Sequence, residues 1–298
     1  MMIIFGVTIL KNKRVMKFLK KYDKFLERNK PILHFSIFDW DDNILFMPTK
    51  IHLEHLENGE WVKKDVSTEQ FAQVRNLNDW RPLIVDGDYR AYDEFRDNGP
   101  RGNMAFMEDM LEALDNKKFG PSWKKFIYTL IRGSIFAIIT ARGHEPKTIK
   151  NAVRYIINNI LTNEEQIEMG ANLFAYIDLF NENSNKELDF DELVENYLNN
   201  CEFVGVSSPN FIKKYAGVSP KNPEEAKKIA ISDFIKKIHN YGNIIDGDVR
   251  VGFSDDDKRN VDTIEKYFNE ISTFFNNISF NIYDTSDPTI IGGIKKKI

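Results

Sequence analysis

Residues 32–43 read ILHFSIFDWDDN, a dense apolar run that ends abruptly in acidic residues. A short, continuous apolar run with polar boundaries is typical of a strand buried on both faces of a parallel sheet. Two later runs repeat the pattern, because SIFAII precedes Thr140 and VRVGF precedes Ser254-Asp255-Asp256-Asp257. Parallel strands present their carboxyl ends at one edge of a sheet, so we expect these polar groups to meet there.

Strands and helical patterns alternate along the rest of the chain. Two further apolar runs, at 202–206 and 280–283, are candidate strands. The helical patterns, in which apolar residues recur three and four positions apart, occupy 121–131, 147–161, 224–238 and 261–275. This alternation predicts an α/β fold, with a three-layer Rossmann-like parallel sheet covered by helices on both faces.

A segment after the first strand does not follow the alternation. IHLEHLE and EWVKKDV flank Asn58-Gly59, and this arrangement is a strong signal for a β-hairpin. Ser67 and Gln70 then have the spacing of a capping box, which predicts the start of a helix. We therefore expect an inserted hairpin-plus-helix lid.

The predicted organisation is a catalytic core with two insertions and an N-terminal helix. The core comprises 31–50 and 121–298, the lid 51–120, and a second, helical insertion about 162–200. Within that insertion, residues 181–192 have oxygen-bearing side chains at EF-hand spacing, but Asn181 and Lys186 depart from the pattern. A plain helix-loop-helix is the favoured interpretation, and calcium binding is the alternative.

Composition excludes several classes of protein. The 298 residues are 42% hydrophobic and 13% aromatic, which excludes a disordered chain. The single cysteine, Cys201, excludes an intramolecular disulfide and favours a reducing, cytoplasmic location. No apolar stretch is long enough for a membrane span. The overall net charge is −4, which gives no general basic surface for DNA.

Positive charge is concentrated near the N-terminus. Residues 11–30 carry a net +7, and from Met16 apolar residues recur at helical spacing between lysines. We interpret 1–30 as a basic amphipathic helix that packs on the domain with its cationic side in solvent. Contact with a membrane surface or with RNA is the alternative, and nucleic acid is not the favoured partner.

The acidic strand ends predict a site for a hard cation. Asp39, Asp41, Asp255 and Asp256 would bring several carboxylates together without Cys or clustered His, which favours Mg²⁺. Thr140 adds a hydroxyl donor at the same edge. A lysine there could neutralise both a carboxylate and a phosphoryl oxygen.

These elements together resemble the haloacid dehalogenase (HAD) superfamily, across residues 32–261. IFDWDDNIL resembles the first family motif, IFAIIT the second and VGFSDDDKRNV the fourth, in family order. Asn43 departs from the pattern, since the family usually has Thr or Val there. Most members are Mg²⁺-dependent phosphohydrolases, so the resemblance implies Mg²⁺ as cofactor and a small phosphorylated substrate.

The resemblance also implies roles for individual residues. Asp39 would be the nucleophile that becomes phosphorylated, and Asp41 the general acid and base. Thr140 would hold a phosphoryl oxygen. Arg142 would bind the substrate phosphate or, alternatively, serve only as a structural residue before the next helix. Asn260 is assigned to substrate binding.

The lysine of the third motif is chosen by its position before the last acidic motif. Lys221 lies just before a helix with an acidic first turn and is our choice. Lys213, Lys214 and Lys227 compete with it.

The function predicted on this basis is hydrolysis of a phosphomonoester through an aspartyl-phosphate intermediate. A small phosphorylated metabolite or a nucleotide is the favoured substrate, and a polynucleotide end is a further candidate. Two alternatives remain, a non-catalytic HAD-like binding module and a metal-dependent nucleotide-sugar glycosyltransferase that uses Asp39 and Asp41. The lid side chains that could contact a substrate are Trp61, Trp80, Arg81, Tyr89, Tyr92 and Arg96.

Overall fold

A computed structural model describes residues 32–180, 188–218, 220–245, 247–275 and 277–298, with the backbone alone described at 176–180 and 243–245. The predicted N-terminal helix at 1–30 lies outside these residues. Most of the calcium-loop candidate at 181–192 also lies outside them.

The strands are numbered in chain order. They are β1 (Ile32–Phe38), β2 (Ile51–Glu57), β3 (Glu60–Val66), β4 (Trp80–Pro82), β5 (Ile84–Val85), β6 (Asp88–Tyr89), β7 (Phe136–Thr140), β8 (Glu202–Gly205), β9 (Asp248–Asp255), β10 (Ile278–Asp284) and β11 (Ile294–Lys297). The helices are α1 (Thr68–Val74), α2 (Ala105–Asp115), α3 (Trp123–Ile131), α4 (Pro146–Asn159), α5 (Asn163–Phe180), α6 (Phe190–Asn200), α7 (Pro209–Lys214), α8 (Pro223–Ile245) and α9 (Lys258–Ser272).

Six strands form the main sheet, in the order β11-β10-β9-β1-β7-β8. All neighbours are parallel except β10 and β11, which are antiparallel. From β1 the chain moves first to β7 and β8 on one side, and then returns to β9 and β10 on the other. The order therefore reverses beside β1, and a crevice at the carboxyl ends of the strands is expected at such a reversal. The α/β prediction is confirmed, and the sheet is compatible with a Rossmann-like fold. The antiparallel edge strand β11 was not predicted.

Helices pack on the two faces of the sheet. On one face, α2, α3, α4 and α6 bury an apolar cluster against β7 and the end of β1. On the other face, α8 and α9 cover β1, β9 and β10. All five residues of β7 are buried, which is the burial expected of a parallel strand covered on both sides. Helix α2 thus packs in the main apolar cluster, whereas the sequence-based prediction assigned it to the lid.

The hairpin unit, residues 51–95, has a separate three-stranded sheet of order β3-β2-β4. The turn between β2 and β3 has positive φ at Asn58 and Gly59, as the sequence indicated. Ser67 and Gln70 form the predicted capping box of α1. A small cluster that includes Ile51, Leu53 and Phe95 holds the unit together.

Within the described residues, none of the helices is both long enough and apolar enough to cross a bilayer.

Candidate active site

Three carboxylates converge where the strand order reverses. Asp39 directly follows β1 and Asp255 ends the adjacent strand β9, and the Asp39 amide donates to the Ser254 carbonyl at 3.0 Å. Asp256 follows on the next residue. One oxygen from each of Asp39, Asp255 and Asp256 lies within 4.8 Å of the others. The structure therefore brings together three of the four predicted metal ligands.

A buried lysine links two of these carboxylates, and it is Lys227. Its ammonium group lies 2.9 Å from Asp39 Oδ1 and 2.8 Å from Asp255 Oδ2. The structure does not bring Lys221, the lysine chosen from the sequence, to these carboxylates: its side chain is exposed, and its backbone amide donates to Glu225 Oε2 at 2.9 Å. Helix α8 begins at Pro223, so Lys227 lies one turn inside it, where the helix packs on the sheet.

Asp255 is held by backbone and side-chain donors. The Asp257 amide and the Asn260 side-chain amide donate to Asp255 Oδ1, at 2.9 and 3.0 Å. Asn260, which was predicted to bind substrate, orients a carboxylate with its amide and also lines the cavity described below, so its contact with a substrate stays a prediction. Asn260 is near the start of α9, and Asp257 caps that helix by accepting from the Arg259 amide. Helix α9 therefore fixes the position of Asp255.

The buried carboxylates repel each other. Burial, with Asp255 and Asp41 close by, raises the pKa of Asp39 to about 8, even though Lys227 opposes the shift. Burial and the charges of neighbouring carboxylates also raise the pKa of Asp256 well above its ordinary value. Burial alone would lower the pKa of Lys227, but Asp255 and Asp39 outweigh that effect and raise it. A single ammonium therefore leaves excess negative charge among the three carboxylates, and a bound cation would relieve it.

The Asp41 side chain does not join this cluster. Arg142 Nε and Nη2 donate to its two carboxylate oxygens at 2.7 and 2.6 Å. The Asp41 carbonyl accepts from the Asn43 amide at 2.6 Å. The Asp41 side chain is therefore paired with an arginine and is not one of the three clustered carboxylates. The resemblance implies that Asp41 binds Mg²⁺ through its backbone carbonyl, and this stays a prediction.

Arg142 is almost completely buried, with 1% of its surface exposed. Its guanidinium carbon lies 4.4 Å from the centre of the Phe95 ring and 5.1 Å from that of Phe106, and Nη2 also donates to Thr49 Oγ1. Its remaining nitrogen, Nη1, is buried and has no hydrogen-bond partner among the described residues. Arg142 also lines the cavity described below, and Nη1 is a donor that none of the described residues uses.

Asn43, the departure from the family pattern, braces the loop after β1. Its side-chain amide donates to the Asp39 carbonyl and to the Ser254 carbonyl and hydroxyl, at 2.9 to 3.2 Å. Its side-chain oxygen accepts from the Thr285 hydroxyl at 2.9 Å. Asp42 has a positive φ of 54°, which turns the chain back between Asp41 and Asn43. The loop that carries Asp39 and Asp41 is thus tied to β9 and to the end of β10.

A cavity of about 580 Å³ is lined by two of the three clustered carboxylates, Asp39 and Asp256. Thr140, at the tip of β7, lines it as predicted, together with Asp39, Asp41 and Arg142. The hairpin unit supplies the opposite wall. The hairpin residues that line the cavity include the predicted Tyr89 and Tyr92 and the unpredicted Phe71 and Arg75, and the predicted Arg96, just after the unit, also lines it. Trp61, Trp80 and Arg81 lie elsewhere. The helical periodicity of α1 could have indicated Phe71 and Arg75.

An ion pair connects the hairpin unit to the main sheet at this cavity. Arg75 Nη1 lies 3.0 Å from Asp257 Oδ2, and Asp257 also contacts Arg259. Partial burial alone would raise the pKa of Asp257, but its hydrogen bonds with Arg259 and Arg75 outweigh this effect and lower the pKa. The cavity therefore has aromatic rings and paired charges on the side that faces the carboxylates.

Comparison with protein-family models, curated proteins and solved structures finds no match to this chain.

Proposed function

We propose that the protein is a Mg²⁺-dependent phosphomonoester hydrolase that acts through an aspartyl phosphate. The observation that carries this proposal is the set of Asp39, Asp255 and Asp256 around Lys227, at the carboxyl ends of two adjacent strands. The order of the sequence motifs, which resembles that of the HAD superfamily, supports the same conclusion.

The donor set fits a hard divalent cation. Asp39, Asp255 and Asp256 offer only carboxylate oxygens, and no thiol or imidazole belongs to the group. Oxygen ligands of this kind favour Mg²⁺. When bound, the cation would offset the negative charge of the phosphoryl group and of the carboxylates.

The protein's own residues supply the covalent chemistry. An oxygen of Asp39 attacks phosphorus, the bond from phosphorus to the ester oxygen breaks, and Asp41 gives a proton to the departing oxygen. Water then attacks the aspartyl phosphate while Asp41 takes a proton from it. This step releases inorganic phosphate and restores Asp39. Lys227 reduces the repulsion between Asp39 and the incoming anion.

Arg142 links substrate binding to the state of Asp41. Both oxygens of Asp41 accept hydrogen bonds from Arg142, and in this proposal one of these contacts opens before Asp41 transfers a proton to the leaving group. A phosphoryl oxygen bound by the free Nη1 of Arg142 would draw the guanidinium toward the substrate. The arriving phosphate thereby frees the acid that its leaving group needs.

The hairpin unit serves as the lid in this proposal. It contributes Phe71, Tyr89 and Tyr92 to the wall of a cavity whose volume is in the range of small-molecule sites. A partly apolar cavity of this size suits a small phosphorylated metabolite or a nucleotide. Exclusion of bulk water by the lid would strengthen the electrostatic effects of Lys227 and Arg142.

Hydrolysis of p-nitrophenyl phosphate, with Mg²⁺ and with EDTA, tests the proposal. Wild type should be active only with Mg²⁺, and Asp39→Asn should reduce kcat by a factor of about 10³ or more because it removes the nucleophile. The matched control is Asp115→Asn, since Asp115 is exposed and distant from the site, and it should retain full activity. Equal activity of Asp39→Asn and wild type would refute the nucleophile. No activity in either would favour a binding module.

A further inference from the structure

One face of the main sheet is open where β9, β10 and β11 lie. The register of β1, β9 and β10 puts His34 beside Arg250, and Ser36 beside Gly252 and then Asn281. Tyr283 pairs with Lys295 and Asn281 with Lys297 across β10 and β11, so these side chains share that face. The opposite face of the same strands is apolar and covered by α8 and α9. We call the polar side the open sheet face.

The open sheet face is cationic. Arg250, Lys295 and Lys297 are exposed on it, and Lys125 of α3 lines one of its hollows. Arg132, the residue after α3, is close enough for its charge to act on His34. None of these five side chains forms an ion pair in the part of the chain that the structure describes. Asp248 is the one carboxylate among the described residues that line its hollows.

The clustered positive charges lower the pKa values of neighbouring groups on the same face. Burial, followed by the charges of Arg250, Lys125 and Arg132, lowers the pKa of His34. Burial and the charge of Lys295 lower the pKa of Lys125. Clustered cations that outnumber the carboxylates beside them are stabilised by a bound polyanion.

Two adjacent hollows make the open sheet face a groove. One, of about 320 Å³, extends from His34 and Ser36 to Ser122, and the other, of about 440 Å³, from Asp248 to Lys297. Arg250, Asn281 and Lys295 line both hollows. The groove therefore runs along the strands, with cations at its centre.

An aromatic ring lies in this groove. A Cβ built at Gly252 would be 3.1 Å from Tyr283 Cε2, so the absence of a side chain at Gly252 lets the Tyr283 ring lie over β9. The Lys295 ammonium is 5.7 Å from the centre of that ring. A cationic groove with an aromatic platform is the arrangement that binds single-stranded nucleic acid, because phosphates contact the cations and a base stacks on the ring.

We propose that the open sheet face binds a single-stranded polynucleotide, at a site distinct from the cavity over Asp39. Charge complementarity selects this occupant. The N-terminal segment of the chain is not suited to occupy this face, because residues 11–30 carry a net charge of +7 and would be repelled by the cationic groove. The net charge of −4 for the whole chain gives no indication of this cationic surface, because acidic residues elsewhere in the sequence outweigh its lysines and arginines.

Fluorescence anisotropy of the full chain with a labelled single-stranded oligouridylate tests the proposal. Arg250→Gln/Lys295→Gln should weaken binding at least tenfold and reduce the slope of log K against log salt by about 1.4, or roughly 0.7 for each phosphate that is no longer neutralised. Tyr283→Leu should weaken binding several-fold without changing the slope, because stacking releases no counterions. Melting temperatures and p-nitrophenyl phosphate hydrolysis of these variants establish that they fold.

Two controls distinguish this face from other cationic surfaces. Lys147→Gln/Lys213→Gln removes the same charge from exposed lysines elsewhere and should bind like wild type. Lys17→Gln/Lys20→Gln/Lys21→Gln tests the N-terminal segment. Binding that survives the Arg250/Lys295 change but disappears with the N-terminal change would overturn the proposal. Tighter binding to phosphatidylserine vesicles than to the oligonucleotide, abolished by the same Arg250/Lys295 change, would overturn it in favour of a membrane surface.

Discussion

Asp41 is held at both carboxylate oxygens by one guanidinium, that of Arg142, at 2.7 and 2.6 Å. The two residues come from different strand ends, since Asp41 follows β1 and Arg142 follows β7. Their pairing joins the first and second sequence motifs in a single contact. It also separates the Asp41 side chain from Asp39, Asp255 and Asp256, so the four predicted acidic ligands divide into a cluster of three carboxylates and one carboxylate that is paired with an arginine.

Replacement of Arg142 should destabilise the fold. Arg142→Met leaves Asp41 without its partner in a largely buried site, so we expect the free energy of unfolding to fall by about 3–5 kcal/mol. Urea denaturation measures this. Addition of Asp41→Asn to Arg142→Met should cost little more, because the charge to be compensated is gone. Arg154→Met is the matched control, since its pair with Glu195 is exposed, and it should change stability by less than about 1 kcal/mol. Strictly additive effects of the Asp41 and Arg142 changes would contradict the coupling.

The second prediction compares the two candidate lysines, Lys227 and Lys221. Lys227→Met should reduce kcat by a factor of about 10² or more and lower stability in EDTA by about 3–5 kcal/mol, because Asp39 and Asp255 lose their shared cation. Excess Mg²⁺ should restore part of the stability but not the activity. Lys221→Met, at an exposed position in the same segment, should alter stability by no more than about 0.5 kcal/mol. Activity and urea unfolding are measured in both variants. A larger loss of activity in Lys221→Met than in Lys227→Met would favour Lys221 as the catalytic lysine.

His144 should make the protein sensitive to acid. Its ring is fully buried, and burial together with Arg142 lowers its pKa to about 2 from the ordinary 6.5. The unfolded chain therefore binds a proton below about pH 6.5 that the folded chain does not, and stability falls as the pH decreases. At pH 5 the loss relative to pH 7 is about 2 kcal/mol, at roughly 1.36 kcal/mol for each pH unit below 6.5.

The variant His144→Leu isolates this contribution. Urea denaturation at pH 7 and pH 5 gives the loss of unfolding free energy for each protein. Subtraction of the variant's loss from that of wild type cancels the contributions of all other titrating groups. Wild type should lose about 2 kcal/mol more than the variant. Equal losses would mean that His144 titrates normally in the folded state.

Asn43 should stabilise the loop that carries Asp39. Asn43→Ala leaves the Thr285 hydroxyl without its acceptor and removes the amide that ties the loop to Ser254, so we expect a loss of about 1–3 kcal/mol in stability. Asn116→Ala is the control, because the Asn116 amide forms one exposed hydrogen bond to its own helix. A comparable loss in both variants would show that Asn43 does not brace the loop.

The elements of the fold were largely predictable because their signals are local. An apolar run such as Ile32–Phe38 specifies a strand by its own composition, although His34 on this strand is exposed on the open sheet face. Ser67 caps α1 through the residue three positions later. The apolar segment at 105–115 shows the limit of this reasoning. Its periodicity predicts a helix but says nothing about which unit the apolar face contacts, and α2 packs in the main core.

The residues that end the strands can be named from the amino-acid order alone. Asp39, Thr140 and Asp255 follow apolar runs, and parallel strands bring such ends to one edge of the sheet. How the side chains pair at that edge depends on the three-dimensional packing. Lys227 rather than Lys221 contacts Asp39 because the packing of α8 buries one and exposes the other. The pairing of Asp41 with Arg142 and the cationic open sheet face depend likewise on which strands are neighbours, a relationship between distant residues that local pattern does not encode.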